Sequence, residues 1–496
     1  MERRTFLKIL SSAGIVSLVS PTFAMGVCKN KVSKSSSALL ESAFRNPPFS
    51  SGVYTWWHWM NGNITKDGIT RDLEAMKANG IAGYQLFEAG SGIPIGPVES
   101  LSDEWVDLIL HTLKESERLG LEFAMHNCPG WSSSGGPWIT PDKAMQIITW
   151  SETKVTGGKQ VRIQLPTPKH MFDYYIDTYC LAIPANMKVI PRLSILELSN
   201  RLDKGGVLTW DVPAGEWLIM RFGQTAKDQK NKSAPSKSTG LDCDKFSTEA
   251  LDYHLNCMFK RLMPTMEKIA KHSKIGLLID SYETGDQDWT SDMPAYFEQS
   301  HGYELYPFLP VLANKIVESE ESTKRFLFDF RRVRADMFAE RYYGHFQKRC
   351  KEKGIITYTE PYGGNMMEEL QVAQQLDINM GEFWCGQTVL WANYKYNRTV
   401  KQVASIVHTL GGKVVGAEAF TSEPDADKWL QYPYALKSLG DYMFTRGLSR
   451  IYFHRFAHQP HPTAAPGMTM GAWGLHFDRT NTWWKPGKAW IEYLNR

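Results

Sequence analysis

"IGLLIDSYETGDQDW", residues 275–289, sets a run of apolar and small residues directly ahead of four carboxylates, Asp280, Glu283, Asp286 and Asp288. The first part reads as a buried strand. Asp and Glu are disfavoured in strands, and a buried carboxylate is costly unless something pairs with it. Such a stretch is either a solvated loop that happens to follow a strand or a site assembled at the strand's end. The rest of the chain decides between the two.

The same arrangement recurs. "VYTWWHW" ends near His58, "IAGYQLFE" at Glu88, "LEFAMHN" at His126 and Asn127, "IGLLID" at Asp280, "IITYTE" at Glu360, "INMGE" at Glu382, "KVVGAE" at Glu418 and "RIYFH" at His454. Helical periodicity fills the intervals. "ITRDLEAMKANG" has Thr70 as its predicted N-cap and Gly80 as its stop. "SDEWVDLILHTLKESERLG" runs from Ser102 to Gly120, a long segment ends at Gly354, and "NRTVKQVASIVHTLGG" precedes the seventh strand. Strands alternating with helices imply parallel βα units. Eight units imply an α/β protein with a closed (β/α)₈ barrel, whose active site lies at the C-terminal ends of the strands. Those ends are where the polar residues fall.

One interval is too long for a single helix. "KQVRIQLP", "DYYIDTYCLAIP" and "GGVLTWDVPAGEWLIMRFGQ" alternate with period two between Pro and Gly turns. They predict an antiparallel β-module between strands three and four. The polar loop "TAKDQKNKSAPSKSTG" and the helix "STEALDYHLNCMFKRLMPTMEKIAKH" then return to the barrel. The expected division is residues 45–149 for the first part of the barrel, 150–235 for the module and 236–496 for the rest.

Bulk properties narrow the class. In 496 residues, 43% are hydrophobic and 22% charged, which suits a globular core. A net charge of +3 without basic clusters argues against a partner bound through phosphates, so no nucleic acid is expected. The 17 Trp either stack on sugar rings or fill a large core; the count leaves both open. The start, "MERRTFLKILSSAGIVSLVSPTFAMG", has a charged head, a short apolar run and small residues near Ala24. It reads as a secretory signal over residues 1–24, and Arg3-Arg4 gives it a twin-arginine character. A flexible Ser-rich leader, residues 25–44, would follow. The expected location is the periplasm or the outside of the cell, with no stable membrane insertion once the signal is cleaved. Seven scattered cysteines give neither a disulfide framework nor a zinc knuckle.

Hydrolysis of a glycosidic bond normally uses two carboxyl groups, one protonated and one ionised. The candidates are Asp280, Glu283, Glu360, Glu382 and Glu418, with Glu88 further round. A ring of acids raises some of its own pKa values or is neutralised by a cation, and oxygen ligands suit calcium. Each residue also has an ordinary reading. Glu283 could be a surface carboxylate in a Ser-Tyr-Glu-Thr-Gly loop, whereas Glu418, between Ala417 and Ala419 after "VVG", is hard to explain as surface. Glu382, before Phe383-Trp384, needs a partner for its charge. His58, flanked by Trp57 and Trp59, could be a core histidine. Asn61, Asn127 and Trp131 could be turn scaffold, and His454 could open a solvated loop.

Six ordered stretches, "TWWHWMNGNIT", "HNCPGWSSSGGPWI", "DSYETG", "TEPYGG", "GAEAFTS" and "GMTMGAWGLHFDRTNTWW", carry a resemblance spanning residues 45–490. They resemble the motifs of glycoside hydrolase family 106, the bacterial α-L-rhamnosidases. The resemblance implies an inverting mechanism on a (β/α)₈ barrel with an inserted β-module, a rhamnose-containing oligosaccharide or polysaccharide as substrate, and a calcium ion that helps to hold the sugar. It assigns Glu283 as general acid with Asp280 beside it, Glu418 as general base and Glu382 as a calcium ligand. Around them it leaves Trp56, His58, Trp59, Asn61, Glu88, His126, Asn127, Trp131, Glu360 and His454 as expected sugar-binding residues. Family members usually continue into further β-rich domains, whereas "TWWKPGKAWIEYLNR", residues 482–496, reads as a last barrel helix.

Two rivals remain. A metal-dependent amidohydrolase would place two histidines one residue apart on strand one, and "WHWMN" offers one. A sugar-binding barrel without turnover would keep the Trp-rich mouth but has no need of Glu283 and Glu418.

Overall fold

The structure, a computed structural model, describes residues 34–132, 134–385, 394–422, 428–471 and 474–496. The expected signal segment, residues 1–24, and the first part of the leader lie outside the described residues. The rest of the leader holds a helix, Lys34–Arg45, in a unit distinct from Pro48–Asn495. Glu41 and Arg45 pair across one turn of that helix at 2.8 Å. Among the described residues no helix is long and apolar enough to cross a membrane.

In the large unit eight parallel strands close into a barrel. They are β1 Tyr54–Met60, β2 Gly83–Ala89, β3 Glu122–His126, β4 Ile275–Ile279, β5 Ile356–Thr359, β6 Ile378–Cys385, β7 Val415–Ser422 and β8 Arg450–Ala457. Each pairs with the next in sequence, and β1 pairs with β8, so no edge remains. Period-two alternation decides what faces inward. Tyr54, Trp56, Phe87, Ala124, Leu278, Tyr358, Met380 and Tyr452 form one apolar cluster, separate from the larger cluster made with the helices. Continuing the same faces toward the C-terminal ends gives His58, Asp280, Glu360, Glu382, Glu418 and His454. The barrel's inner wall therefore turns from aromatic to acidic along its axis.

Strands β6 to β8 run three to four residues further than expected, so Glu382, Glu418 and His454 stand inside strands rather than at their ends. Glu382 and Glu418 are register partners. Just beyond them Phe383 pairs with Ala419 but Trp384 pairs with Thr421, which leaves Phe420 as an extra residue in β7. Phe420 takes φ +62°, a left-handed value uncommon for a bulky side chain. Its ring goes into the core against Phe383 and Trp490.

The helices follow their caps. Thr65, not Thr70, opens the helix Lys66–Ala78, its hydroxyl accepting from the Gly68 N–H at 3.1 Å. Ser102 and Gly120 bound the next helix, Asp103–Leu119, as expected. The helix expected over 247–272 is two, Thr248–Phe259 and Met263–Ala270, because Pro264 has no N–H for an uninterrupted ladder. The long segment before β5 is α-helical over Glu320–Met337 and His345–Lys351, with a π-helical stretch, Phe338–Gly344, between them.

The longer antiparallel strands between β3 and β4 run from Gln146 to Ala226, and a two-residue pair, Gly135–Gly136 with Leu241–Asp242, lies outside them. Gln146–Thr156, Glu216–Ala226, Ile176–Pro184 and Leu196–Glu197 make a four-stranded sheet, and Lys159–Gln164 pairs with Val207–Val212. Leu165, Leu208, Trp210 and Ile219 give these strands their own apolar cluster.

Candidate active site

A cavity of about 370 Å³ opens among the C-terminal ends of the strands. Eight of the expected residues line it: Trp56 and His58 from β1, Trp131 after β3, Asp280 and Glu283 after β4, Glu382 from β6, Glu418 from β7 and His454 from β8. Glu283 is exposed between buried Tyr282 and Thr284, so its carboxyl is presented to the opening. Glu418 is buried and accepts a hydrogen bond from the Thr421 hydroxyl. Glu382 accepts from Trp384 Nε1 at 2.9 Å. Among the described lining residues there is neither Lys nor Arg.

Glu360 lies behind this layer, fully buried. It accepts from the Tyr362 hydroxyl at 2.5 Å and lies close enough to the Asp280 carboxyl for the two charges to act on each other. Burial first, and then the neighbouring carboxylates, push Asp280, Glu360 and Glu418 well above the ordinary range. Asp280 Oδ1 and Glu360 Oε1 are buried oxygens without a hydrogen-bond partner.

The histidines are neutral. Burial, then the nearby His454 and Arg455, drives His58 well below its ordinary value; burial, then Arg455 and His476, does the same to His454. His454 meets Trp56 edge-on, with centroids 5.3 Å apart, and a Cβ on Gly474 would come within 2.8 Å of its Nδ1. The ring is therefore closely held.

Besides Glu360, five expected residues do not line the cavity. Trp59 and Glu88 alternate out of phase with inward-facing His58 and Phe87, so they point to the helix layer. There Glu88 accepts from Ser100 at 2.8 Å, and burial raises its pKa to about 7. His126 packs on Phe87 at 5.2 Å and contacts the Cys128 carbonyl. Asn127 donates to Leu278 O and accepts from Ser134. Asn61 shapes a turn through Ile93 O at 2.6 Å. These five stand behind the lining, as supports of the wall.

Six lining residues escape sequence reasoning: Ser91, Ser233, Ser281, Trp384, Thr421 and Met470. Thr421 faces inward because of the bulge at Phe420, and Trp384 because it keeps the phase of Glu382 along β6. Ser233 belongs to the polar loop that leaves the β-module. That loop docks on the barrel where Gly90 N donates to Ser233 O at 2.5 Å and Trp131 N to Lys232 O at 3.3 Å. Gly130 permits the approach, since a Cβ there would stand 2.0 Å from Lys232 O.

Among the described residues no three His, Cys, Asp or Glu side chains form a ready ligand set. The nearby donors are oxygens rather than thiolates, which is the chemistry of a hard cation.

The site's similarity to known proteins agrees with its architecture. A rhamnosidase from Novosphingobium sp. PP1Y superposes with a TM-score of 0.83 at 24% identity, over 92% of this chain and 60% of that one. A protein of Formosa agariphila named "Putative beta-glucuronidase" is 41% identical over 488 residues, 92% of this chain and 41% of its own length. The chain thus spans about three fifths of the one and two fifths of the other. The family model described as alpha-L-rhamnosidase matches residues 45–179 and 169–496, which takes in the whole barrel, its insertion and every carboxylate of the cavity; the chain belongs to glycoside hydrolase family 106.

Proposed function

We propose that the protein is an exported glycoside hydrolase that removes terminal α-L-rhamnosyl residues from an oligosaccharide or polysaccharide by inversion. The observation that carries this reading is one cavity with an exposed carboxyl, Glu283 on the loop after β4, and a buried one, Glu418 on β7. Glu283 protonates the departing glycosidic oxygen, which is reachable from the opening. Glu418, steadied by Thr421, takes the proton of the attacking water. Inversion needs a gap of roughly 6.5–9.5 Å between the two groups to admit that water.

The lining supports the choice of sugar. A glucuronide carries a carboxylate, which an acid-rich cavity with no Lys or Arg among its described lining residues would repel. A neutral 6-deoxy sugar brings a methyl group, and Trp56, Trp131, Trp384 and Met470 offer it apolar surface. This separates the reading from the name of the Formosa agariphila relative.

Calcium belongs to the same proposal. The partnerless oxygens of Asp280 and Glu360 and the crowding of acids favour a cation, and Glu382 is the carboxylate assigned to hold it. A bound calcium would supply positive charge that lets neighbouring carboxyls ionise, with sugar hydroxyls among its ligands. Export is supported by the twin-arginine-like start of the sequence.

Hydrolysis of aryl α-L-rhamnosides and aryl β-D-glucuronides by the full chain tests the reading. Release from the rhamnoside, with the inverted anomer appearing first by NMR, is expected. Turnover of the glucuronide alone overturns the sugar assignment, and binding of rhamnosides without turnover favours a sugar-binding barrel.

A further inference from the structure

We propose that the inserted β-module is a brace for the loop that carries Glu283, with Asp288 and Gln287 as positioning residues; this rests on Glu283 being the general acid. An exposed acid on a loop has no packing of its own to hold it, so its neighbours must. Before Glu283 the loop is pinned by Tyr282, whose N–H donates to Tyr362 O at 2.9 Å and whose hydroxyl donates to Gly285 O at 2.8 Å.

After Glu283 the pins come largely from the insertion. The Ile148 N–H donates to Asp288 Oδ1 at 2.9 Å, and the Trp289 N–H to Gln146 O at 3.3 Å; both partners lie at the start of the module's first strand. Lys227, one residue past the module's last strand, donates from Nζ to Asp286 O at 2.5 Å. The segment returning to the barrel adds the Lys245 N–H, donating to Gln287 Oε1 at 3.0 Å, and the buried Asp244 carboxylate, which accepts from Gln287 Nε2 and from Thr290 Oγ1 at 2.8 Å. The barrel's helix contributes Arg334 Nε to Gln287 O at 2.9 Å. Gln287 and Trp289 are fully buried. The loop is thus tied at consecutive residues, 286 to 290, to both ends of the module and to its return segment.

This arrangement makes the module part of the proton-delivery apparatus. A general acid works only within hydrogen-bond reach of the leaving oxygen, and a displacement of about 1 Å at a reacting group costs roughly 10²-fold in rate. The signature of a misplaced acid is selective, because a leaving group that departs as a stable anion needs no proton.

The experiment compares kcat and KM of the full chain and its Asp288→Ala, Asp288→Asn and Lys227→Met variants on rhamnosides ranging from dinitrophenyl to alkyl. The brace predicts that Asp288→Ala lowers kcat on the alkyl substrate by roughly 10²-fold, with little change on the dinitrophenyl substrate or in KM. Asp288→Asn, which keeps an oxygen for the Ile148 N–H, should restore most of the loss. If Asp288→Ala fails to fold, Lys227→Met, at a half-buried ammonium, carries the same comparison. Equal losses on every leaving group, or none, overturn the brace. Glu283→Gln is run in parallel: if it shows no leaving-group dependence, the acid assignment fails instead.

Discussion

The Glu418 carboxyl stands 3.7 Å from Nδ1 of His454, and that imidazole is neutral, so the contact is neither a hydrogen bond nor an ion pair. Thr421 is what steadies Glu418. As the proposed base, Glu418 would act on water whatever the leaving group. Glu418→Gln should therefore lower the rates on a rhamnosyl disaccharide and on a nitrophenyl rhamnoside by a similar factor, about 10²–10⁴. Losses confined to the disaccharide would make Glu418 the acid and reverse the roles.

The acids of the cavity face no lysine or arginine in its described lining, so they hold protons or a cation. Calcium should raise the melting temperature of chelator-stripped protein and restore its activity, with magnesium less effective because it demands a tighter shell. Saturation at about 100 times the dissociation constant corresponds to about 2.7 kcal/mol of added stability. Stripped protein that melts unchanged on adding calcium and turns over at full rate excludes the ion.

Glu88 gives a pH signature remote from the cavity. Its folded pKa is about 7, raised chiefly by burial above the ordinary 4.5. The folded chain holds that proton more tightly than the unfolded chain. The stability this contributes is complete below the unfolded value and disappears as pH rises through about 7. Its full size is on the order of 3 kcal/mol. Denaturant titrations across this window should show the parent weakening with pH and Glu88→Gln weakening less; identical slopes would remove Glu88 as the cause.

Asp72 ties three elements together. Fully buried, it accepts from Trp57 Nε1 at 3.2 Å, His458 Nδ1 at 2.8 Å, the Gln459 N–H at 3.0 Å and Arg479 Nε at 2.7 Å. Asp72→Ala strands a guanidinium and the other donors and should cost about 3–5 kcal/mol. Asp72→Asn, which can still accept, should cost less. Equilibrium unfolding decides; a loss below about 1 kcal/mol, the scale of an ordinary surface pair, would mean the cluster rearranges.

How far the sequence reveals the barrel depends on the period. Eight apolar runs with polar ends locate the strands, and motif resemblance points to Glu283 and Glu418. The same period, applied within a strand, separates His58 from Trp59 and Phe87 from Glu88, and would have kept Trp59 and Glu88 out of the sugar contacts. The bulge at Phe420 is different. It breaks the alternation, so Thr421 faces the cavity where counting from Glu418 puts it on the outer face. Ser91, Ser233 and Met470 come from loops, where no period exists to count.

Ser233 reaches the pocket on the return leg of the insertion, through a loop seated against Gly90 and Gly130. The wall that touches substrate is therefore partly written in a segment outside the barrel repeat. Changes there can retune which glycan is accepted while the acidic floor stays untouched, so recognition and bond cleavage are free to diverge at different rates along one chain.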